Sequence, residues 1–422
     1  RPKRYEELMM LGDKSISSEA SLIRLYPQDN LFSHIIGQID NDNNGISGLE
    51  KFFDKKLKKI DEPLKLTVDA DIQFLIREEL LRFQKIFGAK GSAAILMNVN
   101  NGEILSMVSL PDFNLNKRET INDVNYINRI TKGTYELGSV FKTFTVASGI
   151  NEGLIEPDTE FLDSKKSIRC GKNHNIDEYD NEMPADLTVE QILIKSGNIG
   201  SVRIVRKIGI EKHKSFLKTI GILDKIDFDI SEVGNPQSID WYEGCKLETI
   251  AFGHGITTTI LQLAKGYSII TNGGYDIKPT LIINNLEKKS ERKKVLKNDV
   301  SKKMRPILRK VVTEGTAKLV NVQGYQVGGK TGTAEQVNNS TYSNTKINTL
   351  ASIFPTENPK YVLVVMLEST KNNKEYIYEY RDGSGFKLKG SPRNTAGWTS
   401  VEAAGKIIDK IGPILATKYI EN

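Results

Sequence analysis

Ala93-Ala94-Ile95-Leu96-Met97-Asn98-Val99-Asn100-Asn101-Gly102-Glu103-Ile104-Leu105-Ser106-Met107-Val108 is the stretch on which the fold class turns. Two apolar runs, 93–99 and 103–108, meet at Asn100-Asn101-Gly102, and Asn-Gly supplies the positive φ angles that a tight hairpin turn needs. Just upstream, Asp71 to Phe87 sets Ile72, Leu75, Ile76, Leu80 and Phe83 on one side of an amphipathic helix. Far downstream, Thr349 to Phe354 and Tyr361 to Leu367 are again strand-like, joined through Pro355-Thr356-Glu357-Asn358-Pro359. From Ser400, the spacing of Val401, Ala404, Ile407, Ile408 and Ile411 makes a closing amphipathic helix. Strands from both sides of the chain, with helices between them, imply an α+β domain with a mostly antiparallel sheet flanked by helices.

The first sixty or so residues stand apart. They suggest short strands, a Gly-rich turn at Asn43-Asn44-Gly45-Ile46-Ser47-Gly48 and a short helix through Phe52, Phe53 and Leu57, and nothing in them is chemically poised. Asp61-Glu62-Pro63 breaks the chain there, so we divide it into a small module, 1–62, and a main domain, 63–422.

Composition narrows the function classes. The 422 residues are 38% hydrophobic and 27% charged, as in a soluble globular chain. The net charge of +6 is a mild excess, because 59 Lys and Arg are nearly matched by 53 Asp and Glu. Short basic clusters such as Lys288-Lys289 and Arg292-Lys293-Lys294 are not interleaved with aromatics, so they read as a solvated face and we expect no nucleic-acid partner. No stretch approaches the length of a membrane span, and the chain opens on Arg1-Pro2-Lys3-Arg4 without initiator Met or signal peptide; we read it as an excised soluble piece. Cys170 and Cys245 have no metal-type spacing and are either free or, in an oxidising compartment, paired. The four histidines, His34, His174, His213 and His254, are scattered, so neither a metal site nor a cofactor is expected.

Chemistry concentrates in three short motifs. In Glu136-Leu137-Gly138-Ser139-Val140-Phe141-Lys142, a serine and a lysine three places apart share one side of a helix. The lysine can take the serine's proton only when neutral, which requires its pKa to fall by about 3 units through burial and cationic neighbours. The pattern alone is weak, since a chain of this length shows it about once or twice by chance. Ser215-Phe216-Leu217-Lys218 repeats it in a charged context that reads as a solvated helix face, whereas the first copy leads into an apolar run to Ile150. Ser196-Gly197-Asn198 puts a hydroxyl and an amide at a turn between apolar segments, able to relay a proton and to hold a carbonyl or the lysine. Lys330-Thr331-Gly332-Thr333 adds a cation, two hydroxyls and a glycine that admits a close ligand, groups that suit a carboxylate. Gly324 to Thr331 also satisfies the phosphate-loop pattern, but Gly332 interrupts at once and Gln336 to Asn348 is a polar tract with no apolar period. The helix that a phosphate loop must open is therefore not expected.

Taken in this order along the chain, the three motifs resemble those of the penicillin-binding proteins, whose transpeptidase fold is shared with the serine β-lactamases. The likeness extends over nearly the whole chain, through Leu66-Thr67-Val68-Asp69, Pro111-Asp112-Phe113-Asn114-Leu115-Asn116, Phe252-Gly253-His254-Gly255-Ile256, Gln262-Leu263-Ala264, Gly315-Thr316-Ala317 and Asn394-Thr395-Ala396-Gly397-Trp398. It is greatest with the class B, division-specific kind, the septal peptidoglycan transpeptidases of the penicillin-binding protein 3 type. By that resemblance, 1–62 is part of a truncated non-catalytic pedestal and 63–422 is the transpeptidase domain. Ser139 is then the acylated nucleophile and Lys142 its base. Ser196 passes the proton on, Asn198 orients peptide and lysine, and Lys330 keeps the pKa of Lys142 low and attracts the substrate carboxylate. Thr331 and Thr333 are hydroxyl contacts beside Gly332, and the backbone N–H groups of Ser139 and Thr333 form the oxyanion hole. The implied substrate is the D-Ala-D-Ala end of a peptidoglycan stem peptide, with β-lactams as inhibitors. The implied partners are a membrane glycan polymerase and other division proteins, and the implied location is the extracytoplasmic side of the bacterial inner membrane, through an anchor outside this chain. The alternatives are an elongation-type transpeptidase, a serine β-lactamase or carboxypeptidase, and a penicillin-binding sensor or scaffold without turnover.

Overall fold

A computed structural model describes residues 4–17, 23–59, 62–117, 126–171, 174–283, 292–338 and 341–419. The expected hairpin forms β1 (Gly91–Asn98) and β2 (Ile104–Leu110), paired antiparallel. A small separate hairpin follows, β3 (Ser167–Cys170) with β4 (His174–Asp177). Late in the chain come β5 (Gly328–Asn338), β6 (Thr341–Phe354) and β7 (Tyr361–Glu368). The main sheet runs β2-β1-β7-β6-β5, with every neighbouring pair antiparallel. The chain's last long strand thus lies beside its first, and β5 is left on an edge.

Seven helices matter to the site or to the sheet: α1 (Ala70–Ile86), α2 (Lys142–Asn151), α3 (Val189–Lys195), α4 (Asn198–Ile208), α5 (Ile260–Thr271), α6 (Asn298–Thr313) and α7 (Ser400–Tyr419). Almost every side chain of β1, β2 and β7 is buried, so both faces of the sheet must be covered. One cover is α1 packed with α7; α5 and α6 pack together and on the strands. The periodicity of α1 is realised in the burial of Ile72, Ile76, Leu80 and Phe83, and Asp69 caps it by accepting the N–H groups of Asp71 and Ile72. Thr259 and Gln262 form a reciprocal capping box that starts α5, which is the physical content of Gln262 in its motif.

One expectation is corrected. The described part of the first sixty residues holds four short helices, Tyr5–Met10, Ser33–Ile36, Gly48–Phe52 and Asp54–Leu57, and its strand-like pairing is limited to one bridge, Ile39 with Gly45. Turn residues there mark chain reversals without fixing which backbone groups pair. The tract from Gln336, which shows no apolar period, carries the ends of β5 and β6, paired as far as Asn338 with Thr341 beyond a register shift between Glu335 and Val337. Asp61 and Lys288-Lys289 lie outside the described residues.

Cys170 and Cys245 are joined by a disulfide, with Cα atoms 5.5 Å apart across a sequence separation of 75 residues. It ties the β3–β4 hairpin to the loop that begins the short helix Lys246–Ile250. A cross-link closing so long a loop restricts the unfolded chain strongly. The double variant Cys170→Ser, Cys245→Ser is therefore expected to lose about 2–4 kcal/mol of stability. A thermal unfolding midpoint equal to that of the oxidised parent would contradict this.

Candidate active site

Gly138 to Phe141 form a 3-10 turn that runs directly into α2, with Gly138 at φ 61°. Residues three apart eclipse in such a turn, so Ser139 and Lys142 stand one above the other. Phe141 and Phe144 pack edge to face, Phe144 meets Tyr267 of α5, and the Tyr267 hydroxyl donates to the Val140 carbonyl at 2.9 Å. That leaves Tyr267 to accept from Thr143, also at 2.9 Å. The turn is thus fixed from behind, while the Ser139 side remains half-buried.

The edge strand β5 closes against this turn. A Cβ on Gly332 would lie 2.2 Å from the Leu137 carbonyl oxygen and 3.2 Å from the Val140 nitrogen, so only glycine lets the strand come this near. From the other side, a Cβ on Gly138 would sit 2.8 Å from the Thr333 carbonyl oxygen. Ser139 and Thr333 are thereby neighbours across the junction. Thr333 Oγ1 accepts the Ala396 N–H at 3.0 Å, which keeps its own hydrogen available for donation into the cleft. Thr331 Oγ1 meets Thr316 Oγ1 at 2.7 Å.

The third wall is the α3–α4 junction. Thr188 and Gln191 cap α3 with a capping box, and Ser196 ends it in the left-handed region at φ 60°. That conformation costs a non-glycine residue about 1 kcal/mol or more. It turns Ser196 to face both lysines. Lys142 Nζ donates to Ser196 O at 2.5 Å and to Asn198 Oδ1 at 2.7 Å, and lies 3.3 Å from Ser196 Oγ. Lys330 Nζ donates to the same Ser196 Oγ at 2.9 Å and to Thr331 O at 3.0 Å.

Both amines are fully buried. Burial lowers the Lys142 pKa to about 7, against an opposing pull from the Glu178 carboxylate. Burial likewise lowers Lys330 well below the ordinary lysine range, with repulsion from Lys142 as a further cause. Desolvation is the leading cause at both amines, and the repulsion between two cations so close acts in the same direction. A neutral Lys142 has two N–H groups, and the two carbonyl-type oxygens take both. Its lone pair is then free to receive a proton. No hydrogen bond joins it to Ser139, whose hydroxyl is unbonded among the described residues.

All eight residues singled out in the sequence converge here: Ser139, Lys142, Ser196, Asn198, Lys330, Thr331, Gly332 and Thr333. The second Ser-x-x-Lys does not, since Ser215 and Lys218 are exposed on the helix Ile210–Thr219. The phosphate-loop pattern also fails in three dimensions, because Lys330 and Thr331 lie inside β5 rather than at a helix start. Sequence reasoning missed Glu178, whose carboxylate accepts the N–H groups of Asn198 and Ile199, both at 2.8 Å. Nothing in Asp177-Glu178-Tyr179-Asp180 distinguishes it from a solvated acidic run. Thr316 was visible only as part of a resemblance.

Comparison with known proteins agrees with this architecture. The family described as penicillin binding protein transpeptidase domain matches residues 92–382. A probable peptidoglycan D,D-transpeptidase FtsI of Caulobacter vibrioides is 28% identical over 99% of this chain and 70% of its own length. Stage V sporulation protein D of Bacillus subtilis is 28% identical over 89% of this chain and 64% of its own. The crystal structure of penicillin binding protein 3 from Mycobacterium tuberculosis superposes with a TM-score of 0.78, covering 92% of this chain and 91% of that one. Its identity is 24%, and the likeness speaks to the fold.

Proposed function

The chain belongs to the penicillin-binding protein transpeptidase family, and from that premise we propose that it crosslinks peptidoglycan stem peptides during septal cell-wall synthesis, through an acyl-enzyme on Ser139. The observation that carries this reading is the single Ser196 hydroxyl standing between two buried amines, one of them with a pKa near 7. Ser139 Oγ attacks the carbonyl carbon between the two terminal D-alanines as its proton passes to Lys142. The oxyanion is held by the backbone N–H groups of Ser139 and Thr333, each such donor being worth about 100- to 1000-fold in rate. When the C–N bond breaks, the departing amine takes the proton from Lys142 by way of Ser196 Oγ. An amine on a neighbouring strand then attacks the Ser139 ester, a C–N bond replacing the C–O bond, while the amine's proton passes by way of neutral Lys142 to Ser139 Oγ and restores the hydroxyl.

Lys330 has a second part. Burial and the repulsion of Lys142 disfavour its charge, but an arriving terminal carboxylate favours the charged form and so binds where the amine already donates. Thr331 and Thr333 complete that contact, and a β-lactam occupies the same place. Residues 1–62 act as a non-catalytic pedestal. The Cys170–Cys245 bond suits an oxidising compartment, in keeping with an extracytoplasmic domain anchored to the inner membrane through a segment outside this chain and working beside a membrane glycan polymerase. Among the described residues no helix is long and apolar enough to cross a membrane.

The test is a stem peptide ending in D-Ala-D-Ala offered together with an amine acceptor. Release of D-alanine with formation of a new amide is the expected result. Release into water alone, with no acceptor product and with rapid loss of bound penicillin, would make the protein a hydrolase.

A further inference from the structure

The site contains a carboxylate that the reaction as described does not use. We propose that Glu178 is a positioning residue: held on the disulfide-tethered β3–β4 hairpin, it fixes the first turn of α4 and thereby aims the Asn198 amide at the Lys142 amine. The proposal rests on the reading of Lys142 as the base.

The geometry is specific. The first N–H groups of a helix have no partner within it. At α4 the Asn198 N–H goes to Glu178 Oε2 and the Ile199 N–H to Glu178 Oε1, each at 2.8 Å. Asn198 Nδ2 donates to the neighbouring Asp177 carbonyl at 3.0 Å, so its Oδ1 is turned toward Lys142, which it meets at 2.7 Å. Residues 177 and 178 thus hold one asparagine by its backbone and its side chain together.

What carries Glu178 is itself braced. A lone two-stranded hairpin is marginal in water. This one is secured by the Cys170–Cys245 bond and by a small apolar cluster of Cys170, Ile176, Ile199, Val202 and Phe252, in which Ile199 and Val202 belong to α4. The Glu178 N–H also donates to the Lys166 carbonyl at 2.9 Å. Hairpin and helix therefore move as one body, with the carboxylate at their seam.

Glu178 also acts through its charge. It is the carboxylate that raises the proton affinity of Lys142, against burial. The other charged or titratable groups near Lys142 are Lys330, and His254, whose pKa burial and Lys142 both lower while Glu335 raises it. Around Glu178 stand Tyr179 and Asp180, with Arg393 beyond them. Removing the Glu178 charge leaves Lys142 easier to deprotonate, so the acid limb of the acylation profile moves to lower pH.

The experiment compares wild type, Glu178→Gln and Glu178→Ala by the rate of acylation with benzylpenicillin between about pH 5 and 9, with thermal unfolding recorded for each. Glu178→Gln keeps the shape and one acceptor oxygen but no charge. Its acid-limb midpoint is expected to fall by roughly 0.5–1 pH unit. Glu178→Ala frees the first turn of α4 and is expected to lose about 10- to 100-fold in rate at every pH. Absence of either effect in folded protein overturns the proposal; if the alanine variant does not fold, the midpoint of Glu178→Gln decides alone. A wild type that benzylpenicillin fails to acylate overturns the proposed function, and this inference with it.

Discussion

Ser139→Ala is expected to abolish covalent capture of a labelled penicillin, its intact mass remaining unchanged after incubation, while Ser215→Ala gains the adduct at the wild-type rate. The loss is one of chemistry rather than stability. Ser139 is half-buried and its hydroxyl makes no hydrogen bond among the described residues, so alanine removes nothing that the fold depends on. Stability should change by no more than about 0.5 kcal/mol. Turnover should fall by about a million-fold, because a missing nucleophile makes the remaining site useless as a unit.

Ser215 supplies the internal control. It has the same spacing to a lysine, but both residues face water from the helix Ile210–Thr219. The contrast therefore isolates environment from motif. An adduct on Ser139→Ala, or a peptide map placing drug on any other residue of the wild type, would remove the foundation of the mechanism.

The same contrast explains what could be read from the sequence. Asn101-Gly102 and the apolar runs beside it fix a local geometry, and the β1–β2 hairpin follows directly. The helix α1 was legible because burial of one face writes a period into the chain, and α7 by its apolar spacing, although its residues 400–405 are buried on every side. Ser139, Ser196 and Lys330 were legible only jointly, since each motif alone is common. What no local pattern encodes is β1 lying beside β7, or β5 coming close enough to the Ser139 turn that Gly332 tolerates no side chain.

Glu178 marks the limit most clearly. Its role depends on two N–H groups about twenty residues downstream, which exist as unpaired donors only once α4 has begun at Asn198. The N-terminal segment fails for the converse reason. Its Asn, Gly and Pro residues announce turns, but whether the chain between turns coils or extends is set by packing, and there it coils.

Lys142→Met is expected to remove the base while retaining the fold, with acylation by penicillin falling about 100- to 10,000-fold. On the proposed mechanism the reactive form is the neutral amine, so acylation should rise with pH through about 7 and level off above it. Stability has its own dependence on pH. Unfolded, Lys142 holds its proton up to its ordinary value of 10.5; folded, it holds it only up to about 7. Between these values the unfolded chain binds one proton more, so stability rises with pH, at up to about 1.4 kcal/mol per unit. Below about 7 both states are protonated, the slope vanishes, and the full cost of the buried charge is present. Methionine has no such proton. The wild type should accordingly gain about 2 kcal/mol relative to Lys142→Met between pH 7 and 9, read from urea midpoints. Parallel midpoints for the two proteins, or an acylation rate that is flat across pH 7, would mean that the amine is an ordinary one and that some other group takes the Ser139 proton.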